Sequence, residues 1–206
     1  MNLACIMHVI ITMIMARNIE FDEDMAIQKA MAVFWKKGFS GTTIRDLTEA
    51  MDINSSSLYN TIGDKHQLFV KCISNYTKKG MVAAGVYSNF ESPIQAVISF
   101  VNNSVNTIIS GNSCMAIQTT FELASSDAEI QALIMESSDF IHQMLLKLII
   151  RAQELKEISE DIEAETTTNF IISSFTGWQE SYILHRDSKR IKKMAQLLIG
   201  QISNNK

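Results

Sequence analysis

One proline and 8 glycines in 206 residues leave this chain almost without the residues that end helices and make tight turns. A sandwich or barrel needs turn signals about every 8–12 residues along its length. Long helices are therefore the expected form, and an all-α fold is the expected class. Apolar residues make up 47% of the chain, enough to fill a core, so wholesale disorder is excluded. A chain of this length has room for one large domain or for a small head on a larger body.

Capping residues divide the chain. A first helix opens near Asp22, carries Ala26, Ala30, Val33 and Phe34 as an inward stripe, and stops at Gly38. Thr43-Ile44-Arg45-Asp46 is a capping box with Asp in place of Glu, opening a short helix through Leu47 and Met51. After Asp52-Ile53-Asn54 comes a third brief helix from Ser55, with Leu58 and Ile62 inward and Gly63 as its stop. Asp64 with Gln67 caps a fourth helix bearing Leu68, Phe69, Cys72, Ile73 and Tyr76, and beyond Gly80 the character of the chain changes. Ser92-Pro93-Ile94-Gln95 starts a helix towards Ser110, followed by a break at 111–113 and a helix over about 115–124. Ser126 with Glu129 is read as the cap of a long helix towards Glu154, and Glu160-Asp161 as the opening of another to His185. The last runs from Ser188 to about Ile202. The expected domains are 15–80 and 81–206, preceded by residues 1–14.

The stretch from Met1 to Ala16 is apolar but too short to span a membrane, which needs about 20 residues. It also lacks the basic start of a signal peptide. Met15-Ala16-Arg17 offers an alternative start, so residues 1–14 are expected to be a dispensable extension. Cys5, Cys72 and Cys114 are odd in number and widely spaced, which fits neither a disulfide framework nor a zinc site and points to a reducing cytoplasm. His8, His66, His142 and His185 are too scattered in sequence for a metal cluster. No metal and no cofactor are expected.

The short helices over 22–62 match a helix-turn-helix inside a small bundle, whose second short helix can enter a major groove of about 12 Å. With Leu58 and Ile62 inward, Ser55, Ser56, Ser57, Tyr59, Asn60 and Thr61 face out, and none is a carboxylate. The net charge of −4 excludes a polybasic coat. Residues 15–80 nevertheless carry 9 Lys+Arg against 8 Asp+Glu, while residues 81–206 carry 9 against 14. That asymmetry has the sign of a DNA-reading head on a non-binding body. Periodicity and charge leave open a second reading, an ordinary three-helix unit whose Ser/Asn/Thr face is merely solvated.

The order of residues decides between them. Phe21-Asp22, Phe34-Trp35-Lys36-Lys37-Gly38-Phe39, Thr42-Thr43-Ile44-Arg45-Asp46-Leu47, Ala50-Met51 and the run from Ser57 to Phe69 closely resemble the head of tetracycline-repressor-family (TetR-family) regulators. The resemblance implies an all-helical homodimer joined through its last two helices, a palindromic double-stranded DNA operator, and a small-molecule effector whose binding releases the operator. It implies DNA contact by Thr42, Thr43 and Arg45, by Ser55, Ser56, Ser57, Tyr59 and Asn60 on the groove-facing helix, and by Lys65 after the Gly turn. Asp52 replaces a usual Gly, Ile62 replaces a usual aromatic, and Arg17 stands alone in an arm often richer in basic residues. No Lys or Arg lies between Asn54 and Ile62, so the commonest guanine contact is missing and salt-dependent backbone contacts should dominate.

In the body, Phe90, Phe100, Met115, Phe121, Met135, Phe140, Met144, Phe170, Phe175 and Trp178 exceed what single stripes need. Phe100, Cys114, Gln118, Phe121, Met144, Phe175 and Trp178 are the expected effector contacts. Ser174, Gly177 and Ser181 form a small-residue strip on which a partner helix can lie closely. Cys114, at the start of a helix, is either a thiol sensor of oxidants and electrophiles or a packed apolar residue. Two other functions compete: a cysteine-dependent enzyme using Cys114 and His142, and a helical adaptor without DNA binding. The leading reading is a cytoplasmic, ligand-responsive repressor.

Overall fold

The computed structural model describes residues 23–111 and 113–203, so the expectations for residues 1–14, Arg17 and Phe21-Asp22 lie outside it. Among the described residues all regular structure is helical. The head comprises α1 (Glu23–Lys37), α2 (Ile44–Met51), α3 (Ser55–Thr61) and the first half of α4 (Lys65–Ala84). The body adds a 3-10 turn (Gly85–Asn89), α5 (Pro93–Ile109), α6 (Met115–Thr119) with a π turn (Thr120–Ala124), α7 (Ala128–Glu154), α8 (Ala164–His185) and α9 (Ser188–Ser203).

Local chemistry sets most of these limits. Helix α1 places Glu23 and Asp24 in its first turn and Lys36 and Lys37 in its last, as the helix dipole favours. It ends at Gly38, whose φ of 72° is left-handed and suits glycine. The expected capping boxes at Thr43/Asp46 and Asp64/Gln67 both form, and Ser92 accepts from the Gln95 amide with Pro93 in the first helical turn.

Three boundaries differ from expectation, and α4 runs across the expected domain limit. The cap of α7 is Asp127, which accepts from the Glu129 and Ile130 amides, because Ser126 turns back to donate to the Leu123 carbonyl. Helix α8 starts at Ala164 behind an N-cap at Glu163, not at Glu160. Gln153 Nε2 donates to the Ser159, Glu160 and Ile162 carbonyls and holds that stretch as a turn. Helix α4 runs through Gly80 to Ala84, since one glycine costs a helix only about 1 kcal/mol, so head and body share one continuous rod. The helix expected over about 115–124 is α-helical only to Thr119.

Two cores result. Ala30, Phe34, Leu47, Leu58, Leu68, Phe69 and Ile73 fill the head, joined by Met115 and Ile130 from the body. Val97, Val101, Val105, Leu145, Ile149, Ile171, Trp178, Ile191 and Leu198 fill the body. The bundle has a head end and a far end. At the far end the Ile94 amide donates to Glu157 Oε2 at 2.8 Å, and at the head end Tyr182 Oη donates to the Ile109 carbonyl at 2.7 Å. Helix α8 therefore descends towards the head, and α9 climbs away from it.

Candidate nucleic-acid interface

The interface is built on the turn between α2 and α3. Thr43 Oγ1 accepts from the Asp46 amide at 3.1 Å, and Asp46 Oδ2 accepts from the Thr43 amide at 3.0 Å. Lys37 Nζ donates to Asp46 Oδ1 at 2.7 Å. That hydrogen bond, with those from Thr43, pulls the Asp46 carboxyl down to about 2. The chain leaves α2 through Asp52 at φ 58° and ψ 46°, a left-handed conformation that Asp tolerates in place of Gly. Asn54 Oδ1 accepts from the Ser57 amide at 2.7 Å and starts α3.

Helix α3 then divides cleanly by face. Leu58 is fully buried and Ile62 nearly so, while Tyr59 is 53% exposed and Ser55, Ser56, Asn60 and Thr61 are open to solvent. Ser57 is half-buried. Asn60 Nδ2 lies 3.4 Å from Ser56 Oγ, a weak contact that DNA can displace. The outer face carries hydroxyls, an amide and a phenol, which suits phosphates and base edges.

The expected phosphate contacts fare differently. Thr43 is exposed at the N-terminus of α2, where the capping box occupies its own amide and that of Asp46. Arg45 is exposed but donates to Glu49 Oε1 at 2.7 Å. That bond, and the charge behind it, raises the affinity of Arg45 for its proton and offsets its attraction for phosphate. Lys65 sits with Nζ 4.4 Å above the Phe39 ring at the start of α4. Thr42 is a correction: it is 2% exposed, and its hydroxyl donates to the Gly38 carbonyl at 2.6 Å, so it closes the loop instead of facing DNA.

Two bridges and one junction tie this head to the body. Glu122, on the π turn, accepts from the Phe39 amide at 2.9 Å and the Ser40 amide at 2.7 Å. Partial burial pushes its carboxyl up, but those amides outweigh it, and the balance lies below the usual glutamate range. His66 Nε2 lies 2.6 Å from Asp127 Oδ2. Asp127 is lowered first by the Ile130 amide and further by His66. At the junction the Ser113 carbonyl accepts from Trp35 Nε1 at 2.5 Å, the Cys114 amide donates to Gln179 Oε1 at 2.8 Å, and the Met115 amide donates to Tyr76 Oη at 3.3 Å. Tyr76 Oη also donates to Cys114 Sγ at 3.5 Å. Burial, reinforced by Cys114, pushes the Tyr76 phenol well above its ordinary range.

Among the expected effector contacts, Phe100, Met144, Phe175 and Trp178 share the body core. Their rings form a chain, Phe100 to Phe175 at 5.7 Å and Phe175 to Trp178 at 5.5 Å. Cys114 and Gln118 lie instead towards the head, and Gln118 Oε1 is buried without a hydrogen-bond partner. Phe121 is a second correction: the π turn throws it outward, 75% exposed, away from any interior. Met135, Phe140 and Phe170 are likewise exposed. A hollow of about 650 Å³ opens at the far end between α8 and α9, lined by Asp161, Glu163, Thr166, Phe170 and Leu198, away from the expected contacts.

Sequence reasoning missed Glu122, Asp127 and Gln179 as connectors. Gln179 leaves a trace, a buried amide directly after Trp178 in an otherwise apolar helix face. For Glu122 no signal exists, because its direction depends on the π turn. His142 pairs with Glu165 Oε1 at 3.0 Å, a bond between α7 and α8. No group of three or more metal-ligating side chains is found among the described residues, and no helix there is long and apolar enough to cross a membrane.

The comparisons agree with this anatomy. Residues 26–72 match the family model described as bacterial regulatory proteins, tetR family, and residues 93–198 match that described as tetracyclin repressor-like, C-terminal domain. An uncharacterized HTH-type transcriptional regulator of Bacillus subtilis, YezE, is 27% identical, covering 78% of this chain and 85% of its own. The HTH-type transcriptional repressor ComR of Escherichia coli is 22% identical, covering 86% and 85%. A cysteine mutant of the TetR family regulator CifR, solved with a 26-bp operator duplex, superposes with a TM-score of 0.76 at 24% identity over 89% of this chain and 98% of that one.

Proposed function

Since the chain belongs to the tetracycline-repressor family of DNA-binding transcriptional regulators, and so to no enzyme class, we propose that it is a cytoplasmic homodimeric repressor that leaves a palindromic operator when its body is modified or occupied. The observation that carries this reading is the division of α3: Leu58 is sealed inside while Tyr59 and Asn60 stand out in solvent, so the helix is presented for docking. Thr43, Tyr59 and Lys65 bind phosphates, and Ser55, Ser56, Ser57 and Asn60 meet base edges.

The dimer forms through α8 and α9. Phe170, Ile183, Leu184 and Leu197 are half or more exposed, and a Cβ at Gly177 would meet nothing within 4 Å in the protomer. An apolar strip with a smooth centre suits close packing of a second copy. Two heads then address half-sites about one helical turn apart.

Effector response is assigned to the body, with Phe100, Met144, Phe175 and Trp178 as its apolar contacts and Gln118 as a polar one. Cys114 adds a thiol-reactive route. Its sulfur accepts from Tyr76, so alkylation or oxidation there disturbs the bond between α4 and α6. Supporting this, Cys114 is only half-buried, whereas Cys72 is enclosed and burial lifts its thiol to about 12.

A fluorescent duplex from upstream of the gene tests the whole reading. Salt-sensitive binding that is lost in Tyr59→Ala is expected. Absence of any such binding by the unmodified chain favours the adaptor reading instead. N-ethylmaleimide should release the duplex from the parent and not from Cys114→Ser; release from both, or from neither, removes the thiol route.

A further inference from the structure

The body is acidic except at one place. Of its nine Lys and Arg, five fall in the stretch Arg186 to Lys193: Arg186, Lys189, Arg190, Lys192 and Lys193. All five are exposed, and among the described residues none of them has a carboxylate within 4 Å. The acid within the cluster, Asp187, is occupied by the amides of Lys189 and Arg190. His185 adjoins it in the last turn of α8, and Arg186 leans over the Tyr182 ring at 5.6 Å.

Position gives the cluster a direction. Gln179 holds the Cys114 amide, and Tyr182 holds the Ile109 carbonyl, beside the junction that grips Trp35 of the head. The α8–α9 turn lies immediately beyond, so the cations sit at the end of the body from which the head projects. Lys189 and Arg190 run against local preference, because they lie in the first turn of α9, the positive end of its dipole, where cations are disfavoured. In the proposed dimer, joined through α8 and α9, the cluster doubles to ten like charges, which repel. Both penalties disappear against a polyanion.

We propose that this basic turn is a second DNA-contacting surface, which attracts the phosphate backbone of the operator between the two half-sites. It rests on the DNA-binding reading above and adds the body to it. Its contribution is independent of base sequence, as phosphate attraction is. It also supplies cationic charge that α3 lacks.

The test is fluorescence anisotropy of the full chain on the upstream duplex and on an unrelated duplex of equal length, from 0.05 to about 0.3 M salt. The variant carries Lys189→Gln, Arg190→Gln, Lys192→Gln and Lys193→Gln. It is expected to lose roughly tenfold or more in affinity on both duplexes at low salt. The slope of log affinity against log salt should shrink by about 0.9 for each phosphate contact removed. Thermal melting and sedimentation should show a fold and a dimer no weaker than the parent, since repulsion has been removed. A second variant, Lys189→Glu with Arg190→Glu, suits the helix dipole and should bind less tightly than the parent as well. Unchanged affinity and slope in the glutamine variant overturn the basic turn while leaving the head's role intact. Loss confined to the upstream duplex, or traced to a dissociated dimer, also overturns it. If the unmodified chain binds neither duplex, both readings fall together.

Discussion

Leu58 and Tyr59 are neighbours in sequence and opposites in consequence. Leu58→Ala opens a cavity in the head core and should cost about 2–5 kcal/mol, read as an earlier urea midpoint for the head. Tyr59→Ala touches no core and should change stability by less than about 0.5 kcal/mol while weakening DNA binding. Equal stability loss in both would mean that α3 is packed differently from the structure described above. Three carboxylates add a pH dependence. Asp46, Glu122 and Asp127 are all held below their ordinary values of 3.8, 4.5 and 3.8 by hydrogen bonds present only in the fold. Their contribution is complete above those values and disappears as pH falls towards the folded ones, about 2 for Asp46. The melting temperature should therefore drop between about pH 4.5 and 2. Glu122→Gln should flatten the upper part of that drop, and an identical curve for this variant would deny the carboxylate any role at the head.

At the scale of helices, caps carry a disproportionate share of the order. Asn54→Ala removes the single side-chain bond that starts the seven-residue α3 and should cost about 1 kcal/mol in denaturant unfolding, with DNA affinity falling in step. Most helices were legible because their caps are local: Thr43 with Asp46, Asp64 with Gln67 and Ser92 with Gln95 act within three residues. Where the competing partner is near but ambiguous, sequence cannot choose, as between Ser126 and the adjacent Asp127. Where it is remote, sequence cannot see it. Gln153 holding the turn before α8 is one case, and Glu122 reaching the amides of Phe39 and Ser40 some 80 positions earlier is another. The outward face of α3 followed from the spacing of Leu58 and Ile62. Thr42 did not, since its neighbour Thr43 has the same chemistry and only the fold shows which hydroxyl turns inward.

For the molecule as a whole, the strip around Gly177 decides whether two heads act together. Gly177→Glu replaces a poor helix former by a good one in open space, so the protomer should be no less stable. A carboxylate in the seam should nevertheless leave a monomer in sedimentation at micromolar concentration, with DNA affinity reduced to that of a single head. A Gly177→Glu dimer of parental strength would place the seam elsewhere. Between seam and head stands the segment Ser113–Met115, bonded at once to Trp35, Tyr76 and Gln179. Three struts meeting at one short knot make its amides a common gauge. Deuterium uptake at Cys114 and Met115 must then respond whether the disturbance starts among the nucleotides below or the apolar rings above, so a label placed there listens to both halves through a single channel.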